Sequence, residues 1–156
     1  MIDVVIGRIR DVNRTEDFTF KALENEALAV VVGVHHPLDD RRTVKFSVLL
    51  NYPWILQPTD SPMREVLEHE FRMLQAPTPK GIIETASVLT TTHLIAETDM
   101  IGVLPKSIAD TYAQHGLLKI LLCLIQHKME EFGSVTRKDR PLSEAAEYFL
   151  SALHQR

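Results

Sequence analysis

Short runs rich in apolar or β-branched residues recur along the chain, and amphipathic stretches separate them. The runs are Val4-Val5-Ile6, residues 27–34, Trp54-Ile55-Leu56, Ile82-Ile83, and residues 101–104, 117–125 and 133–136. A strand with one wet face alternates apolar and polar residues, so uninterrupted runs fit strands covered on both faces, as in parallel sheets. Between them, Met63, Val66, Leu67, Phe71 and Leu74 recur at three- and four-residue steps. That spacing predicts a helix over 62–75, with Arg64 and Glu68 one turn apart on its wet face. Further helices are predicted over 87–96, 107–114 and 143–153, the last with Ala145, Ala146, Phe149, Leu150 and Leu153 on one side. Strands alternating with helices argue for βαβ units in a three-layer α/β/α fold. Residues 12–20 read as a polar loop, 77–80 as a connector and 126–131 as a polar link.

The length of 156 residues suits one ordinary domain. With 17 Lys and Arg against 21 Asp and Glu, the net charge is −4, which argues against duplex DNA as a partner of this stretch. Cys123 is the one cysteine and sits among leucines and isoleucines, which excludes an intrachain disulfide and predicts a buried thiol in a reduced, cytoplasmic setting. Asp3 stands where an export signal needs basic residues, and no run reaches the roughly 18 apolar residues of a membrane span.

Three strand-to-helix junctions carry polar residues: Gln57-Pro58-Thr59-Asp60-Ser61-Pro62, Glu84-Thr85-Ala86-Ser87 and Leu104-Pro105-Lys106-Ser107. In an open α/β sheet such junctions gather at the carboxyl edge of the strands, where ligands bind. Helix starts present unpaired N–H groups and a partial positive charge, so a cluster of them suits a carboxylate or similar anion. Taken singly, Ser61, Ser87, and Ser107 with Asp110 three residues later, are simple helix caps; taken together they outline a shared pocket. Asp60 opposes an anion unless it caps the helix or receives ligand hydroxyls.

Other constellations are weaker. His35-His36-Pro37-Leu38-Asp39-Asp40 holds metal-ligating types, yet neighbours on an extended chain point apart and a turn explains the Pro and Asp equally well. Glu68-His69-Glu70 lacks the second histidine of a zinc-protease helix, leaving His69 solvated. Ser61, His69 and Asp60 or Asp39 make a triad only on paper, without a nucleophile elbow. No glycine-rich phosphate loop is present, and no cofactor or metal is called for. Arg8 follows the first strand and reads equally as a ligand residue or a surface arginine. Arg41, Arg42 and Lys45 read as a solvated approach to residues 45–51.

The ordered set Asp3-Val4-Val5-Ile6-Gly7-Arg8, residues 28–34 with His36-Pro37-Leu38, Leu50-Asn51-Tyr52-Pro53-Trp54-Ile55-Leu56, Thr59-Asp60-Ser61-Pro62-Met63-Arg64, Glu84-Thr85-Ala86-Ser87, residues 99–105 and residues 136–143 resembles the effector-binding domain of bacterial LysR-type transcriptional regulators. Within that family it looks most like the branch associated with sugars, sugar acids and related small acids. The resemblance implies a periplasmic-binding-protein-like fold of two α/β lobes, with a small molecule in the cleft between them and no catalysis. It implies that residues 1–27 are the late part of a first lobe, 28–36 a hinge strand, 37–125 the complete second lobe, and 126–156 the return to the first. The ligand-binding positions it implies are Arg8, Thr59, Asp60, Ser61, Thr85, Ser87 and Pro105.

The implied partners are a small anionic effector, DNA through a winged helix-turn-helix outside this stretch, and further copies in a homodimer or homotetramer. The family's DNA-reading domain, linker helix and opening first-lobe elements have no counterpart in these residues, so apolar sheet and helix surface is expected to be exposed. Two other readings remain: a solute-binding protein of a transport system, and a small hydrolase using Asp60, Ser61 or a histidine.

Overall fold

The computed structural model describes residues 2–8, 16–23, 26–38, 42–76, 79 and 81–155. Its elements, in order, are β1 (Val4–Arg8), β2 (Phe18–Ala22), β3 (Leu28–Val32), α1 (Phe46–Leu49), β4 (Trp54–Leu56), α2 (Pro62–Met73), β5 (Ile82–Glu84), α3 (Val88–Glu97), β6 (Gly102–Pro105), α4 (Lys106–Gln114), β7 (Lys119–Ile120), β8 (Phe132–Arg137) and α5 (Glu144–His154). They form two compact units: a terminal unit of Met1–Asn25 with Glu130–Arg156, and a central unit of Glu26–Met129.

In the central unit β3 runs antiparallel between β6 and β7, and β4 pairs in parallel with β5. A parallel bridge from Trp54 to Ile101, with the Ile55 amide donating to the Ile101 carbonyl at 2.8 Å, joins the two sets. The pairing is therefore mixed, not all parallel as the apolar runs predict. Double-sided burial, not strand direction, is what those runs encode: Val30, Val31 and Val32 are all fully buried while antiparallel to both neighbours.

Alternate residues feed two cores. Val30, Val32, Trp54, Leu56, Ile101 and Val103 pack with Phe46, Leu49, Leu67 and Phe71 of α1 and α2. Ala29, Val31, Ile55 and Leu104 pack with Ile95 of α3 and Ala109 of α4. That is an α/β/α sandwich built on the two-residue period of the strands. Trp54 is fully buried, its ring 5.3 Å from Phe71 and 5.6 Å from Phe46, and its indole N–H donates to the Leu49 carbonyl at 3.0 Å. An indole in a core needs such an acceptor.

The run at 117–125 does not form a long strand. Only Lys119–Ile120 is strand, and beyond it Leu121, Cys123 and Ile125 pack on the core while Leu122 and Leu124 are exposed. The segment has one covered face, so Cys123 is half-buried, not buried as expected.

The terminal unit is a three-stranded antiparallel sheet with β8 in the middle, β1 on one side and β2 on the other, accompanied by α5. β2 corrects the loop expected over 12–20: residues 12–15 lie outside the described ones, and Phe18, Thr19, Phe20 and Lys21 alternate as a strand does. Gly133 is required here, because a Cβ would meet the Lys21 carbonyl oxygen at 2.5 Å and the Phe20 ring at 2.6 Å. Ser143 caps α5 by accepting from the Ala146 amide at 3.3 Å. Of the apolar stripe expected on α5 only Ala146 is buried; Phe149 is 47% exposed, and Val5 on β1 is 50% exposed.

Candidate functional site

The carboxyl ends of β4, β5 and β6 lie side by side and each leads into a helix. Two bonds hold the junctions together. The Thr85 amide donates to the Leu56 carbonyl at 2.9 Å, and Gln57 Nε2 donates to the Val103 carbonyl at 3.0 Å. Thr59, Asp60, Ser61, Thr85, Ser87 and Pro105 thus stand at three adjacent helix starts of the central unit. Arg8 belongs to the terminal unit, where its guanidinium donates to the Glu130 carbonyl and lies 5.6 Å over the Phe132 ring.

The three serines differ. Ser87 is a cap: its Oγ accepts from the Thr90 amide at 3.2 Å, and its own amide donates to Thr85 Oγ1 at 3.1 Å. Both hydroxyls accept a backbone N–H, so each keeps its own hydrogen to give. Ser61 occupies the N-cap position of α2 without a side-chain cap bond; its amide donates to the Pro58 carbonyl at 2.9 Å. Ser107 is not a cap, because α4 begins at Lys106 with Pro105 before it. Ser107 donates to Glu26 at 2.6 Å, and Asp110 pairs with Lys106 at 2.7 Å. A proline that fixes its own φ starts this helix without a hydroxyl.

Arg64 is the residue that periodicity misplaces. It is 8% exposed, and beside Glu68 at 2.9 Å it donates Nη1 to the Gln57 carbonyl at 3.2 Å and lies 3.7 Å from Glu84. A cation is therefore built in beneath the β4–α2 junction. Gln57 is itself buried, and its Oε1 has no hydrogen-bond partner among the described residues. Nothing in the sequence marks Gln57 beyond its place directly after a strand.

The histidines sit elsewhere. His36 is 5% exposed, with Nδ1 accepting from the Leu38 amide at 3.1 Å, Nε2 3.3 Å from the Asp99 carbonyl, and its ring 4.8 Å from Tyr52. It is a satisfied core residue, while Asp39, Asp40 and Arg41 lie outside the described residues. His69 is not simply solvated: its ring lies 3.5 Å from that of His127, whose amide donates to buried Glu70 at 2.8 Å. Ser61 and His69 stand eight residues apart on α2, about 12 Å along its axis, so they do not form a catalytic pair. Among the described residues no group of three or more His, Cys, Asp or Glu is placed to hold a metal, and no helix is long and apolar enough to cross a membrane.

A mixed sheet lies between helical layers, with three helix starts along one carboxyl edge, the edge at which open α/β sheets place their ligands when they bind one. Solved structures share the fold. A putative transcriptional regulator from Vibrio parahaemolyticus superimposes with a TM-score of 0.77 at 16% identity, covering 98% of this chain and 68% of that one. The effector-binding domain of QuiR in complex with shikimate superimposes with a TM-score of 0.73 at 19% identity, covering 99% and 73%. The family model of the LysR substrate binding domain matches residues 1–156, and the chain belongs to that family. The HTH-type transcriptional regulator GbpR of Azospirillum brasilense is 32% identical over 98% of this chain and 45% of its own length. The chain spans about half the length of the regulators it matches.

Proposed function

We propose that this chain is the effector-sensing region of a cytoplasmic LysR-type transcriptional regulator, and that it takes a small anionic molecule of the sugar-acid or simple carboxylate class. The observation that carries the reading is the three adjacent helix starts, where Ser61, Thr85 and Ser87 hold hydroxyl hydrogens that no protein group receives among the described residues. Hydroxyls and helix-end amides complement a carboxylate, while Arg64 below, paired with Glu68 and Glu84, holds the Gln57 carbonyl at the β4–α2 junction. Thr59 and Asp60 then serve the ligand's hydroxyls, and Pro105 shapes the third junction. Arg8 is the terminal unit's candidate. The shikimate on QuiR is a hydroxylated carboxylate, the chemistry this edge suits.

The division at 25/26 and 129/130 supports reading the central unit as one lobe and the terminal unit as part of another. Exposed Val5, Phe149 and Tyr148 support self-association as a dimer or tetramer. In the longer regulator the effector favours one arrangement because it binds that arrangement better, and coupling of about 1 to 3 kcal/mol changes DNA affinity several-fold.

Calorimetry of the chain against gluconate, galactonate, shikimate and benzoate tests the reading. One of these acids binds, and Ser87→Val weakens it about tenfold while leaving the fold intact. Equal affinity in Ser87→Val and Ser61→Ala removes this edge as the site.

A further inference from the structure

The terminal unit contains an open cavity of about 230 Å³ lined by Thr19 and Lys21 of β2, Ser134 and Thr136 of β8, and Leu150, Ser151 and His154 of α5. Strand register builds it: in the antiparallel pair Thr19 stands opposite Thr136 and Lys21 opposite Ser134, so all four share one face of the sheet. A sheet face with a helix over it ordinarily carries apolar side chains. Here the four positions are two threonines, a lysine and a serine, and the serine is 3% exposed. Phe18 and Phe20, at the alternate positions of β2, fall on the opposite face.

From these observations we infer that the cavity is an oxyanion site, suited to a phosphate group, in the terminal unit and apart from the helix-start edge of the central one. Two bases and no carboxylate line it among the described residues. Ser134 Oγ lies 2.8 Å from His154 Nε2, so the two share one hydrogen bond. In the neutral tautomer that carries its hydrogen on Nδ1, the imidazole accepts at Nε2 from the Ser134 hydroxyl. When the imidazole is protonated, Nε2–H donates instead and the hydroxyl hydrogen is released toward the cavity. Protonation thereby supplies a positive charge and a new donor together, which is what an incoming anion needs.

Without an anion the arrangement is unfavourable. Burial first, and then the charge of Lys21, hold His154 below its usual range. Lys21 and His154 are the titratable groups that face the cavity from β2 and α5, while β8 contributes only hydroxyls. An anion between them removes the repulsion. A water takes about 30 Å³, so the volume also admits a short substituent on the phosphate.

The experiment follows the His154 Cε1–H signal by NMR at constant ionic strength set with sodium chloride. Inorganic phosphate and glycerol 3-phosphate are added in separate titrations. A saturable shift at millimolar concentration is expected, with His154 protonating at higher pH when the anion is bound and binding weakening as pH rises. Lys21→Gln, an exposed position that leaves the fold intact, weakens binding at least fivefold, and Ser134→Ala does the same where it folds. Tighter binding of glycerol 3-phosphate identifies a phosphomonoester as the occupant, and equal binding identifies free phosphate. A shift that does not saturate, that chloride reproduces, or that survives unchanged in folded Lys21→Gln overturns the site.

Discussion

Arg64, in the first turn of α2, donates Nη1 to the backbone carbonyl of Gln57, the first residue past β4, at 3.2 Å. This bond ties the start of a helix to the end of the strand before it, which is the geometry on which the candidate site rests. Glu68 and Glu84 also approach the guanidinium, but their side chains are 43% and 51% exposed. Exposed pairs contribute little, whereas a buried carbonyl that loses its donor loses a full hydrogen bond. Arg64→Met should therefore lower stability by about 2 kcal/mol in urea unfolding. Glu68→Gln and Glu84→Gln should each change it by less than about 0.5 kcal/mol. A larger loss in either glutamine variant than in Arg64→Met would reverse the assignment.

Gly33 follows β3 against the backbone of α3. A Cβ there would stand 2.0 Å from the Ile95 carbonyl oxygen, and a backbone atom in a packed core cannot step aside. Gly33→Ala should cost about 3 kcal/mol or more, read from the urea midpoint. Gly7→Ala on β1 meets nothing within 4 Å and should stay within about 0.5 kcal/mol of the parent.

Apolar content along the chain is legible because burial on two faces leaves an unbroken run. Trp54–Leu56 forms the strand expected of it, and the α2 stripe places Val66, Leu67 and Phe71 in the core. Strand direction is not legible, because Val30 to Val32 would be equally apolar in either pairing. Arg64 escapes periodicity for a related reason. A long side chain on a polar helix position can turn under the helix start when a carbonyl waits there. The helix-start residues are legible as types, but Ser87 caps and Ser107 does not, since a proline opens α4. The polar face of β2 and β8 is hidden, because Thr, Lys and Ser in a strand read as surface until the register brings α5 over them.

Cys123 faces the core beside buried Glu70. Burial first, and then the Glu70 charge, push its thiol up to about 11. At pH 8 only about a thousandth of it is thiolate, so iodoacetamide should label the folded chain roughly a hundredfold more slowly than a free cysteine. The unfolded thiol ionises near 8.5 while the folded one stays protonated, so unfolding releases a proton between the two values. Stability should therefore fall as pH rises from about 9 to 11, and Cys123→Ala should flatten that part of the curve in urea unfolding. Fast labelling at pH 8 under native conditions would show that the thiol is not held this way.

His36 carries the opposite dependence. The Leu38 amide donates to Nδ1, which makes Nδ1 an acceptor and leaves the proton on Nε2, directed at the Asp99 carbonyl. Protonating the ring would put a second N–H against the Leu38 N–H and place a charge in a site only 5% exposed. Burial is the largest cause of its lowered pKa and Lys119 adds to it, outweighing the Asp99 carbonyl and charge. A depressed folded value means that the unfolded chain takes up the proton first as pH falls. The contribution is complete above about 6.5 and is lost as pH drops through that value toward the folded one. The urea midpoint should fall between pH 7.5 and 5.5, and the fall should be smaller in His36→Gln, whose amide offers a donor and an acceptor without titrating. An equal fall in both proteins would place the acid sensitivity on another group.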